Sequence, residues 1–433
     1  MDKLVLVSGA TGYIASRLIP RLLECGYRVR CLARDPLRLE SRGWFRYVEV
    51  VRGDVTLPST LAPALEGVHT AYYLIHNMSS GHGYIGRELK GARAFASAAE
   101  EAGIDHIIYL GGLADPEQHI APHMRSRIET GKVLREGKVP VTEFRAGVIA
   151  GSGSISFEMI RFMTELFPIV TGPAWLRNKS QPIAIQNVID YLLAALENPC
   201  GRGRVFEIGG PDVTTYGDLM LRYARVRSLK RRMLLLPGIP IWFMAFGISL
   251  MTPVPRRIAH ALVGGLSSDS IIQHPEARNT FPEVELIDFD TAVKAALEKT
   301  HPMYIERMWD DGKHKARSLK HEGFFIDHRD AVAGAPHEEL LHAIERMIDR
   351  TKWHIVAKEG DSRIIVCDGN GRFGDRWVEW RVDRSRIRQT VFFSPRGLPG
   401  FLYWFLLYPF HMLTFRGLIR GIARKIPSPK GRG

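Results

Sequence analysis

The sequence predicts an α/β fold: a doubly wound parallel sheet, followed by a second, smaller α+β domain. Three observations predict it. A strand, a glycine turn and a helix open the chain between Val5 and Ala15. Short apolar runs then alternate with helix-spaced segments as far as Ile208, the pattern of a parallel sheet with helices on both faces. After residue 323 the pattern changes to one amphipathic helix and a series of short runs that read as antiparallel strands.

The glycine unit comes first. Leu4 to Val7 is a short apolar run, suited to a strand buried on both faces. Gly9 and Gly12 follow at once, and Ile14, Leu18, Leu22 and Leu23 recur at helical spacing. Gly9 permits the tight turn out of the strand. Gly12 lets the backbone approach a pyrophosphate, whose charge then sits at the helix N-terminus, and Ala15 is small enough for close helix–strand packing. Gly9, Ala10, Thr11, Gly12, Tyr13 and Ile14 are therefore the expected dinucleotide-binding turn.

Ser8-Gly9-Ala10-Thr11-Gly12-Tyr13-Ile14-Ala15 resembles the cofactor turn of the atypical and extended short-chain dehydrogenases, the group that includes the NmrA-like proteins. The likeness covers roughly residues 1–300. It implies a Rossmann-like, NAD(P)-binding domain.

Tyr27 to Ala33 is the second expected strand, ending in Arg34-Asp35-Pro36. An acid at this strand end holds the ribose hydroxyls of NAD, whereas an arginine accommodates the 2′-phosphate of NADP. Arg34 comes first, so NADP is favoured, with NAD the alternative. In the NmrA-like proteins the matching arginine, in a similar Arg-x-Pro context, contacts that phosphate. Val48 to Val51 is the third strand, and the Gly53-Asp54 that follows resembles a Gly-Asp of the family that lies by the adenine. Leu61 to Leu65 is a helix. Thr70 to Ile75 is the fourth strand, whose end, Ile75-His76-Asn77, is expected near the nicotinamide half, because ligands sit beyond the carboxyl ends of parallel strands.

Glu88 to Ala102 reads as a helix and His106 to Leu110 as the fifth strand, ending in Gly111-Gly112-Leu113. Here the chain departs from the catalytic family. Most short-chain dehydrogenases have a serine after this strand and a Tyr-x-x-x-Lys pair on the next helix. This chain has glycine at the serine position, and its helix reads Pro122-His123-Met124-Arg125-Ser126-Arg127. His123 and Arg127 share a helix face at i and i+4. The NmrA-like proteins carry a similar His-x-x-x-Lys. The resemblance implies that Arg127 keeps the ribose or phosphate contact, although it cannot donate a proton at ordinary pH. His123 is either an acid or base, or an exposed helix histidine.

Val139 to Ala150 holds the sixth strand. Gly151-Ser152-Gly153-Ser154 reads as a mobile link into a substrate-side lobe that begins at Phe157–Trp175. Residues 181–193 read as a returning strand and helix, and Val205 to Ile208 as a further strand. Met233 to Met251 is apolar and uncharged, with Arg231-Arg232 before it and Arg256-Arg257 after. Its length is near the lower limit for a membrane span. Pro237, Gly238 and Pro240 interrupt it, so a lipid-like pocket wall or a buried helix is favoured over a span. Asp288–Leu297 closes the domain.

The expected boundaries are 1–298 for the dinucleotide-binding domain, with its substrate lobe at about 151–298, then a linker at 299–322 and a second domain at 323–427. In that domain Phe324 to Val332 is a strand. Pro336 opens a helix with Leu340, Leu341, Ile344, Met347 and Ile348 on one face. Trp353–Ala357, Arg363–Cys367, Arg376–Val382 and Ile387–Phe393 are strands, and one long helix ends the chain. This order resembles the START and polyketide-cyclase-like helix-grip fold, and the uncharacterised domain fused behind atypical short-chain dehydrogenases in many bacterial proteins. Gly397 to Phe415 carries no Lys, Arg, Asp or Glu, and Pro409 should bend the helix near Phe405. Beyond it, Phe415, Leu418, Ile419, Ile422 and Ile426 face one way and Arg416, Arg420 and Arg424 the other. Lys425, Lys430 and Arg432 add charge. The segment reads either as the core helix of the second domain or as an element that meets an apolar ligand or an anionic membrane surface.

The whole chain has 433 residues, 45% hydrophobic and 24% charged, which suits a globular protein of two domains. Cys25, Cys31, Cys200 and Cys367 form no Cys-x-x-Cys pair, which argues against a zinc site and a disulfide framework and fits a reducing cytoplasm. The first strand opens by Leu4, so no leader is expected; the cytoplasm, or the inner face of a membrane, is the expected place. A net charge of +13 is either a solvated surface or a preference for an anionic partner. Zinc-finger spacing and RNA-binding aromatic motifs are absent from the sequence, so neither nucleic acid nor metal is expected as a partner. Three functions remain: an NADP-dependent oxidoreductase of an apolar or lipid-like substrate, with His123 in proton transfer; an NADP-sensing regulator; or a membrane-surface assembly protein.

Overall fold

The computed structural model describes residues 3–40, 42–76, 83–115, 117–118, 120–251, 256–302, 319–321, 324–332, 336–349, 353–360, 362–383 and 386–424. The chain divides into two compact units, residues 1–161 with 169–299, and residues 162–168 with 300–433.

The first unit is built on seven parallel strands: β1 (Leu4–Ser8), β2 (Arg28–Ala33), β3 (Glu49–Arg52), β4 (Thr70–Tyr73), β5 (His106–Gly112), β6 (Val141–Ala146) and the strand Val205–Ile208. Their spatial order is Val205–Ile208, β6, β5, β4, β1, β2, β3. The order reverses beside β1, which pairs with β2 on one side and β4 on the other. That switch point opens a crevice at the carboxyl ends of the strands. Val5 and Val7 join one apolar cluster, while Leu4 and Leu6 join another on the opposite face. Burial on both faces is why β1 is continuously apolar rather than alternating.

Helix α1 (Tyr13–Glu24) buries Ala15, Leu18, Ile19 and Leu22 in the first cluster. Short α2 (Ala62–Leu65) and long α3 (Tyr84–Glu101) cover the second. Helix α4 (Pro122–Arg135) follows β5, and the helix Ile185–Glu197 packs beside α1.

Three expectations for the outer lobe are corrected. Gly151 to Ser154 is not a mobile link: all four residues are buried, and Ser154 N–H donates to the Gly151 carbonyl at 3.0 Å. The apolar run from Met233 is not one element. Its first part lies in the strand Arg232–Leu236, paired in parallel with Ile169–Pro173, and the rest forms the helix Ile241–Met251 after the Pro240 break. Nor is that helix buried, since Trp242 and Phe243 are 60% and 56% exposed. Among the described residues no helix is long and apolar enough to cross a membrane.

The second unit is α+β. Its six antiparallel strands run in the order Leu319–His321, Phe324–Val332, Arg386–Pro395, Gly374–Asp383, Arg363–Gly371, His354–Glu359. The first of these falls inside the expected linker, because Leu319–His321 pairs with Phe324–Ile326. Residues 303–318, the bulk of that linker, lie outside the described residues, as do Asn77 and Lys425 onward. The helix His337–Asp349 buries Leu340, Leu341, Ile344 and Ile348.

The single long C-terminal helix is also corrected: it is two helices, Gly397–Leu406 and Tyr408–Arg424. The break falls at Leu407, because Pro409 offers no N–H to the Phe405 carbonyl and its ring crowds that carbonyl. Trp404 stacks on Phe393 at 5.2 Å and on Phe325 at 5.7 Å. Gln389, fully buried, ties sheet to helix: it accepts from the Trp380 indole at 3.0 Å and donates to the Phe415 carbonyl at 2.9 Å.

Candidate functional site

The glycine turn sits at the switch point. Gly9 has φ +74°, and a Cβ there would lie 2.6 Å from the Leu74 carbonyl oxygen at the end of β4. Only glycine meets both demands. Gly12 N–H donates to the Gly9 carbonyl at 2.8 Å and caps α1. The cap has no side-chain hydrogen bond, and the first turn of α1 has no acidic residue. The leading N–H groups of α1 therefore have no protein acceptor of those kinds, and the positive helix end is open to an anion. Around this end Ala10 is buried, and Thr11 and Ile14 are half-buried. Tyr13 is buried with Arg17 over its ring, and its hydroxyl lies where a Cβ on Gly151 would sit at 2.6 Å. Sequence reasoning missed that approach, which explains why Gly151 is glycine.

At the end of β2, Asp35 is a helix cap: its carboxylate accepts from Leu37 N–H at 3.3 Å and opens the turn Pro36–Leu39. Arg34 is exposed and makes no hydrogen bond or ion pair among the described residues. One oxygen of the Asp35 carboxylate is thus engaged locally, and Arg34 is not. β3 lies beside β2, with Arg52 opposite Ala33, so Arg34 and Asp54 stand at the ends of neighbouring strands. Asp54 Oδ1 accepts from Thr56 N–H at 2.9 Å and from the Thr56 hydroxyl at 2.8 Å, a local turn that fixes its carboxylate. Ile75 and His76, half-buried, follow β4 next to Gly9.

At the end of β5 the glycine in the serine position lies against the side chains of α4. A Cβ on Gly112 would lie 2.6 Å from Met124 Cε and 3.0 Å from Arg127 Cδ. Arg127 therefore lies at the end of β5. The Tyr109 hydroxyl donates to the Arg127 carbonyl at 2.9 Å. Ser126 is buried and donates to the Glu88 carboxylate on α3. That pair was not legible from spacing, because its members lie on different helices.

His123 is not an exposed helix histidine. It is 5% exposed, and a Cβ on Gly265 of the helix Arg256–Gly265 would touch its Cε1 at 3.1 Å. Its Nδ1 has no hydrogen-bond partner among the described residues. Burial, and then the positive charge of Arg127, push its pKa down to about 4, so the ring is neutral at physiological pH.

The fold has relatives among known proteins. Residues 1–167 match the NmrA-like family, and residues 322–418 match a family described as a protein of unknown function, DUF2867. The photosystem II assembly factor Ycf39 of Cyanophora paradoxa is 27% identical over 227 residues, 50% of this chain and 66% of the relative. The chain thus spans just under two thirds of that protein's length. The ceramide reductase of Caulobacter vibrioides is 25% identical, over 54% of this chain and 73% of the relative. Among solved structures, the Citrobacter sp. triphenylmethane reductase complexed with NADP(H) superposes with a TM-score of 0.54 at 17% identity, covering 67% of this chain and 99% of that one. The NADPH-dependent quinone oxidoreductase of Escherichia coli complexed with NADPH gives 0.55 at 17% identity, covering 67% and 98%. At such identities the likeness is one of fold. Residues 1–167 of the first unit match the NmrA-like family, and the unit shares the Rossmann-like fold of solved reductases and epimerases.

Proposed function

We propose that this NmrA-like, reductase-like protein binds NADP(H) and reduces an apolar, conjugated substrate without the usual Ser and Tyr-x-x-x-Lys. The observation that carries the cofactor choice is the pairing of an unengaged Arg34 with an Asp35 committed to capping. Gly9, Ala10, Thr11, Gly12, Tyr13 and Ile14 cradle the pyrophosphate, Arg34 takes the 2′-phosphate, Asp54 lies by the adenine half, and Ile75 and His76 lie by the nicotinamide half. The dinucleotide, when bound, supplies the hydride. Arg127 holds its ribose or phosphate. His123, neutral, offers one N–H to a substrate carbonyl rather than a full proton. Such a group suits quinones and enones, whose reduced oxygen can be protonated from water. The two NADP(H)-bound neighbours support the cofactor assignment by analogy of fold.

A second reading, a non-catalytic NADP(H) sensor or assembly protein, is favoured by one observation: the burial of His123 against Gly265. The likeness to the Ycf39 assembly factor supports it as well. Calorimetry with NADPH and NADH, followed by NADPH oxidation with quinones and enones, separates the readings. Tighter NADPH binding with turnover supports the reductase. Tighter NADPH binding without turnover across those acceptors supports the sensor. Equal affinity for the two cofactors overturns the assignment of Arg34.

A further inference from the structure

We infer that the corner between the two C-terminal helices docks into one leaflet of an anionic membrane. The helix Tyr408–Arg424 turns His411, Phe415, Ile419 and Ile422 into the second unit's core. Its opposite side begins with Phe410 and Leu413, 67% and 62% exposed, and continues with Arg416 and Arg420, also exposed. Just before the break, Leu406 is 70% exposed, with Leu402 and Phe405 beside it on the preceding helix. The corner at Leu407 is thus an apolar apex with arginines behind it. Leu413 to Arg420 spans about 10 Å along the axis. An interfacial segment buries its apolar side about 5–10 Å deep, so the leucine and phenylalanine of the corner reach acyl chains while the guanidinium groups behind it meet phosphates.

Charge selects the occupant. From Gly397 to Gly433 the chain carries six Lys and Arg and no Asp or Glu. An apolar protein partner would meet that excess uncompensated, whereas an anionic lipid surface neutralises it. Among the described residues no helix can cross a bilayer, so the contact is with one leaflet. The corner lies in the second unit, and the proposal stands whether or not the first unit turns over substrate.

The test is sedimentation of the full chain with vesicles of phosphatidylcholine alone, and of phosphatidylcholine mixed with phosphatidylglycerol, at low and high salt. The wild type should bind the anionic vesicles and bind neutral ones far less. Leu406→Glu with Phe410→Glu should lower partitioning by about 10-fold or more at either salt, since each exposed side chain loses its burial. Arg416→Gln with Arg420→Gln should lower it by about 30-fold at low salt and little at high salt. Thermal midpoint and NADPH affinity should be unchanged in both. If the glutamates unfold the chain, Phe410→Ser with Leu413→Ser replaces them. Equal binding to both vesicle types, no binding to either, or wild-type binding by the apolar variants overturns the proposal. So does a vesicle-free dimer that the apolar variants dissociate, which would make a second copy the partner.

Discussion

Acidification from about pH 8 to about pH 5 should remove about 4 kcal/mol from the first unit through two buried histidines. His106, at the start of β5, is fully buried, and burial, then the charges of Arg202 and His69, push its pKa down from 6.5 to about 4. Its tautomer follows from its partner. The Thr142 hydroxyl donates to the Gly201 carbonyl at 2.8 Å, so it must accept from His106 Nε2–H at 2.7 Å. A second proton would go to Nδ1, which has no acceptor among the described residues. His123 is in the same position, with a pKa of about 4 and an unpaired Nδ1. For both, the folded state binds fewer protons than the unfolded chain between pH 6.5 and 4, so stability falls as pH falls through that window. A histidine shifted from 6.5 to about 4 loses about 2 kcal/mol by pH 5 and about 3 kcal/mol by pH 4. Urea unfolding followed by circular dichroism, read at a constant m-value, measures the loss. His123→Leu removes one titration without removing a described hydrogen bond, and should halve the loss to about 2 kcal/mol. An unfolding free energy that is flat across this window, or a pH slope unchanged in His123→Leu, would refute the reasoning.

Arg34→Ala should weaken NADPH binding by about 10-fold or more and leave NADH binding unchanged, because a charge-assisted phosphate contact contributes roughly 1.5–3 kcal/mol; calorimetry on both cofactors checks it. Gly9→Ala should abolish NADPH binding and lower the thermal midpoint, since the added Cβ meets the Leu74 carbonyl at 2.6 Å and the φ of +74° is strained for alanine. If turnover is found, the pH dependence of kcat should show no inflection near 6.5 from His123, whose pKa lies at about 4, and His123→Ala should lower kcat while Ser126→Ala should not. Gln389→Leu should cost about 2–4 kcal/mol in chemical unfolding of the second unit, because the Trp380 indole and the Phe415 carbonyl both lose their buried partner.

The sequence by itself determined the parallel sheet and the glycine turn at its switch point. Strands such as β1 are buried on both faces and must be apolar throughout, and Gly9 marks a turn that only glycine makes without strain. The antiparallel sheet of the second unit was equally legible, because period-two alternation in Arg376–Val382 is local. The exchange of the Ser and Tyr-x-x-x-Lys positions for Gly112, His123 and Arg127 was also readable, since the helix that carries the last two follows the strand directly. Only the tertiary structure decided what those residues are. His123 is a neutral, covered ring because Gly265, far along the chain, packs on it, and burial sets its protonation. Asp35 caps the turn Pro36–Leu39 because its carboxylate meets the Leu37 N–H. Gly151 is a packed contact for Tyr13, not a hinge. The run from Met233 became a strand and a half-exposed helix because Ile169–Pro173 supplied a partner for its first part. Composition and spacing record what each residue can do; which neighbour buries it, and which hydrogen bond it finds, are relations between distant segments that exist only once the chain has folded.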